Sequence, residues 1–392
     1  MPVNDRGVAS PPAAAHAWVL GAIDLVQALT LASIPTVVVA GRHSPAHYSR
    51  AAVATIDAGE SPTDPEAVVD WLLAGAADQP EPPVLYYDND RDLLLVSRHR
   101  ERLARGFRFV VPAADLVEDL VDKARFQALA ERLGLPVPRA VHCSAGDLGG
   151  DPGLRYPLIV KPRSRHRGGW TRVVGAKAAH IDGRAALARL GHQLPDPSIE
   201  LLVQEAVPGP EDRIESYHVY VDEGERIVGE FTGRKLRTYP RAYGFSTAVT
   251  VTDSPEVREL GRETVRALGL RGVAKVDVKR GPDGRLGLLE VNPRFNLWHH
   301  PGACAGVNLP ALVHARVVGH PAPAPPAARA GVTWCSPHDL RAARAQGLGI
   351  LSWLRWVATC EATSGFAWDD PFPIPRAALW RVRERLRERI AG

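Results

Sequence analysis

A chain of 392 residues that is 45% hydrophobic and 23% charged has the apolar material for two or three ordinary domains and too little charge to stay disordered. Its 48 basic residues nearly cancel its 44 acidic ones, and a formal charge of +4 is no electrostatic footprint for nucleic acid. Cys143, Cys304, Cys335 and Cys360 form no Cys-x-x-Cys pair, so neither a zinc ribbon nor a dithiol centre is signalled, and free thiols in a reducing compartment are expected.

In chain order, the first apolar stretch is Ala17 to Ala40. Asp24, Gln27 and Pro35 interrupt it and no basic cluster precedes it, so it reads as neither signal peptide nor membrane span, and a cytoplasmic location is expected. Its residues predict a strand (Trp18 to Gly21), a helix (Ile23 to Ala32) and a second strand (Thr36 to Ala40), a βαβ unit. Gly21 is followed by Ala22, Ile23 and Asp24 rather than by the Gly-x-Gly-x-x-Gly turn of a dinucleotide fold, which argues against a nicotinamide cofactor. With strands at Val84 to Tyr87 and Phe107 to Val111, residues 1–113 read as an α/β N-terminal domain.

Asp115 to Leu133 carries helical apolar spacing and is closed by Gly134, with Pro136 beyond. Short β-rich runs follow at Leu158 to Lys161, Ile199 to Gln204, Ser216 to Val221, Arg226 to Glu230, Val273 to Lys279 and Leu286 to Val291, with an amphipathic helix at Glu256 to Leu268, so residues 114–320 read as α+β. Residues 321–392 begin with a proline-rich linker or cover strand and end in a helix with Leu379, Val382, Leu386 and Ile390 on one stripe.

Lysine is scarce, and all six, Lys123, Lys161, Lys177, Lys235, Lys275 and Lys279, fall between positions 123 and 279. A GC-rich coding background explains arginine at plain surface positions. The alternative reading is that a retained lysine sits where a compact ammonium suits better than a planar guanidinium.

The most informative segment is a hairpin from Gly272 to Arg294 that turns at Gly281-Pro-Asp-Gly284. Pairing Gly281 with Gly284 sets Asp277 opposite Leu288 and makes Asp277 and Glu290 diagonal neighbours, with Leu288 and Asn292 on the same face. Two carboxylates and an amide oxygen there suit a hard cation that keeps its other positions for water and phosphate. Lys275, opposite Glu290 in this register, offers the competing explanation of a cross-strand salt bridge. Arg294 follows in the same parity and suits residual negative charge.

Asp122-Lys123 opening a helix that ends Gly134-Leu-Pro-Val-Pro138, then Leu158-Ile-Val-Lys161-Pro162, Val203-Gln-Glu-Ala-Val-Pro-Gly209, Val276-Asp-Val-Lys279 and Glu290-Val-Asn-Pro-Arg294, resemble in order the signature of the ATP-grasp superfamily. The Phe231 to Arg237 block and the Ala305 to Pro310 ending look closest to its carboxylate-amine ligases of the carbamoyl-phosphate-synthase-like branch. The resemblance implies an ATP-grasp fold over 114–320, with a small subdomain at about 138–207 and a second subdomain clamping ATP, plus a small C-terminal extension. It implies ATP and one or two Mg2+ ions, with Mn2+ as a substitute, and magnesium ligands Asp277, Glu290 and Asn292. Lys123 and Lys161 would hold phosphates. Gly168 and Gly169 would let a loop at 163–170 approach them. That loop is unusually basic at Arg163, Arg165, His166 and Arg167, which fits either extra phosphate contacts or a second anionic substrate.

The resemblance further implies that adenine rests on Gln204, Glu205 and Val207, and that Asp212 takes the ribose, with Glu211 and Glu215 as rivals. Arg234, Lys235, Arg237 and Arg294 would act on the acyl phosphate and substrate carboxylate. Asn296, Trp298 and His299 would line the acceptor pocket. The implied reaction activates a small-molecule carboxylate as an acyl phosphate and joins it to an amine. A bicarbonate-using carboxylase and an inactive nucleotide-binding regulator are the alternatives. No nucleic-acid or membrane partner is expected, and a homodimer is possible.

Overall fold

The computed structural model describes residues 15–163, 168–320, 324–366 and 370–391. Strands β1 (Ala17–Leu20), β2 (Thr36–Val39), β3 (Ala52–Ile56) and β4 (Val84–Tyr87) form a parallel sheet in the order β3-β2-β1-β4. β1, β2 and β4 are buried at every position, as sheets covered on both faces require. Phe107 to Val111 contributes only an isolated bridge, Arg108 to Val84, instead of the expected strand.

The next sheet is antiparallel, β5 (Ala140–Ser144), β6 (Leu158–Pro162), β7 (Ala179–Ile181) and β8 (Glu200–Glu205) in the order β5-β8-β6-β7. The central sheet has seven strands: β9 (Ile214–Val221), β10 (Ile227–Tyr239), β11 (Phe245–Thr252), β12 (Gly272–Arg280), β13 (Leu286–Asn292), β14 (Thr333–Cys335) and β15 (Ala362–Thr363), ordered β13-β12-β9-β10-β11-β14-β15. The C-terminal segment therefore enters the sheet through β14 and β15.

Alternation gives the central sheet two characters. Tyr217, Val219, Val276, Val278 and Leu288 face a core shared with Phe126 and Leu129 and with the helix Pro255–Ala267. At about 1.5–3 kcal/mol per large apolar side chain this face anchors the fold. The helix lies flush because Gly261 meets Tyr217 directly; a Cβ there would sit 2.3 Å from the ring. Ser216, His218, Lys275, Asp277 and Lys279 fall on the other face.

Asp115 to Leu133 is two helices, Ala114–Val121 and Lys123–Arg132. Asp122 separates them because its side chain accepts from the N–H groups of Ala124 and Arg125, an N-cap that restarts the helix. β10 runs on through Arg234, Lys235 and Arg237, which thus lie within a strand rather than after one. No helix among the described residues is long and apolar enough to cross a membrane.

Candidate active site

A cleft of about 800 Å3 lies between β6 and β8 on one side and β9, β10, β12 and β13 on the other. Lys161, Lys235 and Lys279 line it, together with Arg237 and Arg241, against Glu205, Glu211 and Asp212. A cleft with this surplus of cations suits a polyanion. Burial lowers the pKa of both Lys161 and Lys279, against the opposing pull of Glu290 and Glu211 on the first and of Glu211 on the second. The Lys161 ammonium donates to Gln204 Oε1 at 3.4 Å, and Lys279 lies 3.7 Å from Glu211.

The acidic hairpin closes one side. At its turn the Gly281 N–H donates to the Arg285 carbonyl at 2.8 Å and the Gly284 N–H to the Gly281 carbonyl at 3.1 Å, the ladder begins at Arg280↔Leu286, and Leu289 bulges out between Val278↔Leu288 and Asp277↔Glu290. The expected register is therefore corrected: Asp277 stands directly opposite Glu290, and Lys275 opposite Asn292. The bulge also turns Leu288 into the opposite core, so it does not share the acids' face. Asp277 is 2% exposed. It accepts from Ser216 Oγ at 2.5 Å and from Lys275 at 2.6 Å, so the salt bridge to Lys275 exists, although its acid is Asp277 rather than Glu290. Desolvation works to raise the Glu290 pKa, but Lys275, the Asn292 amide, Lys235 and Lys161 hold it far below the usual carboxylate range. Glu290 Oε1 accepts from Asn292 at 3.0 Å.

These donors fit a magnesium ion. Asp277 and Glu290 are hard oxygen ligands set face to face, each carboxylate has lone pairs left after its bonds here, and the amide oxygen of Asn292 is adjacent. Among the described residues no group of three or more His, Cys, Asp or Glu side chains is placed to hold a metal, so such an ion would take its remaining ligands from phosphate oxygens and water. Arg294 is anchored on the N-terminal domain: Nε donates to Asp90 at 2.6 Å, Nη1 to the Asp88 carbonyl at 2.8 Å, and Nη2 reaches Asn292 Oδ1 at 3.3 Å. Burial pushes Asp88 up to about 6.

Gln204, Glu205 and Val207 line the cleft. Gln204 donates to Gln127 at 3.0 Å. The Glu205 carboxylate is taken by Arg155 at 2.8 Å, which lowers its pKa. Asp212 is exposed on the rim. Its rival Glu215 is buried and paired with Arg280 at 2.8 Å, and Glu211 pairs with Lys279. Lys123 donates to the Pro162 carbonyl at 3.0 Å, next to Lys161. Arg163 bridges Asp122 and Glu200. Gly168 and Gly169 open the helix Gly168–Val174, while Arg165, His166 and Arg167 lie outside the described residues.

Several expectations fail. Arg234 is exposed one pleat position from Lys235 and does not line the cleft. Trp298 and His299 line no acceptor pocket. Trp298 is 1% exposed, packed 4.9 Å from His218 and against Gly233, where a Cβ would fall 2.2 Å from the indole. His299 is fully buried with both ring nitrogens unpartnered, and burial lowers its pKa to about 3. Asn296 is buried too, and its Oδ1 accepts from the Trp298 N–H at 3.1 Å, a local turn bond. The helix His299–Cys304 docks these residues on the helix Ile23–Thr30, a contact no local pattern announces.

Sequence reasoning missed Arg241, Tyr243 and His180. The loop after β10 brings Tyr243 Oη to 2.7 Å from His180 Nδ1, joining the two sides of the cleft. It also missed Asp339, which receives Arg237 from 102 residues away.

Residues 199–336 match the family model described as ATP-grasp in the biosynthetic pathway with Ter operon. The chain is 31% identical over 214 residues to a D-alanine--D-alanine ligase of Halorhodospira halophila, covering 51% of this chain and 66% of that protein. It is 25% identical over 215 residues to a D-aspartate ligase of Enterococcus faecium, covering 51% and 50%. The matches thus span from half to just under two thirds of these curated relatives. Among solved structures, the biotin carboxylase of Campylobacter jejuni aligns with a TM-score of 0.61 at 13% identity, over 81% of this chain and 74% of that one. The L-amino acid ligase of Bacillus licheniformis aligns with a TM-score of 0.59 at 15% identity, over 83% and 79%. The solved structures share this chain's fold, the ATP-grasp fold, and the ordered lysine and hairpin motifs resemble that superfamily's beside the family match at residues 199–336.

Proposed function

We propose that this chain is an ATP- and Mg2+-dependent ligase that activates a carboxylate as an acyl phosphate and joins it to an amine, releasing ADP and phosphate. The observation that carries the reading is the convergence of Lys161, Lys235 and Lys275 on the Glu290 carboxylate beside the buried Asp277, at the edge of a cleft of nucleotide size. The sequence relatives are named as ligases of D-alanine and D-aspartate, which favours amide formation over a bicarbonate reaction.

In this reading Lys161, Lys235 and Lys123 hold phosphates as point charges, the backbone of Gly168 and Gly169 approaches them, the Val207 backbone reads adenine, and Asp212 takes the ribose. Asp277, Glu290 and Asn292 hold Mg2+, which when bound supplies positive charge to the phosphate oxygens. Arg294 fixes Asn292 and joins the N-terminal domain to the reacting end. The protein contributes positioning and charge, so no side-chain nucleophile is required.

The test is ADP release against a panel of carboxylic acids, amino acids included, with and without amines. Stimulation by an acid and amine together is expected, and Asp277→Asn or Glu290→Gln should lower it by about a thousandfold or more. Stimulation by bicarbonate alone would replace the amide reading with a carboxylase, and no stimulation by any pair would leave a nucleotide-binding regulator.

A further inference from the structure

We propose that Asp339, carried by the C-terminal segment, is a positioning residue that holds Arg237 in the cleft as a ligand for the anionic groups of the bound nucleotide. The inference rests on the reading of the cleft as a nucleotide site and goes beyond it, because it makes residues 333–366 part of the site's construction. Asp339 is 0% exposed. Its carboxylate takes Arg237 Nε at 2.9 Å and Nη2 at 2.7 Å in a fork-to-fork pair, and is completed by Thr247 Oγ1 and Trp353 Nε1, each at 2.9 Å.

Trp356 lies against the guanidinium, 4.0 Å from carbon to ring centroid. Two nitrogens and one face of the guanidinium are thereby fixed. Nη1 has no protein partner among the described residues, and Arg237 lines the cleft with Lys161 and Lys235. An arginine free to turn would lose rotamer entropy on each binding event; one clamped from behind presents its remaining N–H groups in place.

Magnesium AMP-PNP binding to the full chain, measured by calorimetry beside thermal melting, tests this. Asp339→Asn should weaken binding about tenfold and Trp353→Phe two- to threefold. On an Arg237→Gln background Asp339→Asn should change affinity less than twofold, because its effect passes through Arg237. A merely structural Asp339 would shift melting and leave no such coupling. Affinity within twofold of wild type in folded Asp339→Asn, or an undiminished loss on the Arg237→Gln background, would overturn the proposal. If Asp339→Asn does not fold, unchanged affinity in Trp353→Phe overturns it. Absence of binding by the wild-type chain would overturn the nucleotide reading itself.

Discussion

Asp277 and Asp339 are both buried against the central sheet, at 2% and 0% exposure, yet they are satisfied to different degrees. Asp339 receives four N–H or O–H donors, two from Arg237 and one each from Thr247 and Trp353, which fills the lone pairs of a carboxylate. Asp277 receives two, from Ser216 and Lys275. The first is a closed node that fixes its partners. The second keeps acceptor capacity on the cleft face, beside Glu290. Counting donors, rather than noting burial, separates an acid that holds structure from one able to hold a ligand.

The contrast breaks most visibly through stability. Asp339→Leu strands Arg237 at the cleft wall and should destabilise the protein by about 3–5 kcal/mol in urea unfolding, the cost of removing one partner of a buried pair. Asp277→Asn keeps a hydrogen-bonding group opposite Ser216 and should cost less stability than Asp339→Leu while removing turnover. Equal losses of stability in the two variants would erase the distinction.

A smaller effect belongs to a third buried acid, Asp24, which joins the N-terminal domain to the C-terminal segment through Trp334 at 2.7 Å and Ser364 at 2.7 Å, with His300 at 3.7 Å. Burial works to lower the His300 pKa, but Asp24 and Cys304 raise it to about 9. A histidine whose folded pKa lies above its unfolded value stabilises fully below about pH 6.5, and that stability fades as pH rises toward 9. The contribution is at most about 3 kcal/mol. Melting temperature in His300→Gln should therefore fall less between pH 6.5 and 9 than in wild type. Parallel curves would show that the pair contributes nothing.

The parts of the site that were legible are those written locally. Strand alternation and the Gly-Pro-Asp-Gly turn placed Asp277 and Glu290 on one face, and the isolated apolar run before Lys161 placed that lysine at a strand end. The register was missed by two positions: one because the ladder pairs Arg280 with Leu286 at the turn, and one because a bulge at Leu289 has no sequence mark beyond an ordinary leucine. Trp298 and His299 follow the Asn-Pro-Arg motif and look like loop residues. Their burial depends on the helix Ile23–Thr30, some 270 positions earlier, and on the absence of a side chain at Gly233. Asp339 was invisible for the same reason, since its partner Arg237 is 102 residues away. Periodicity reports which face a residue takes, and only the assembled sheet reports what meets it there.

The central claim is that Asp277 and Glu290 form the magnesium end of a nucleotide site. It is tested most directly by titrating AMP-PNP into wild type and Glu290→Gln, with Mg2+ and with EDTA. The account predicts that magnesium strengthens binding to wild type at least tenfold and has little effect on the variant. Equal affinity with and without magnesium in wild type, or an undiminished magnesium effect in Glu290→Gln, would contradict it.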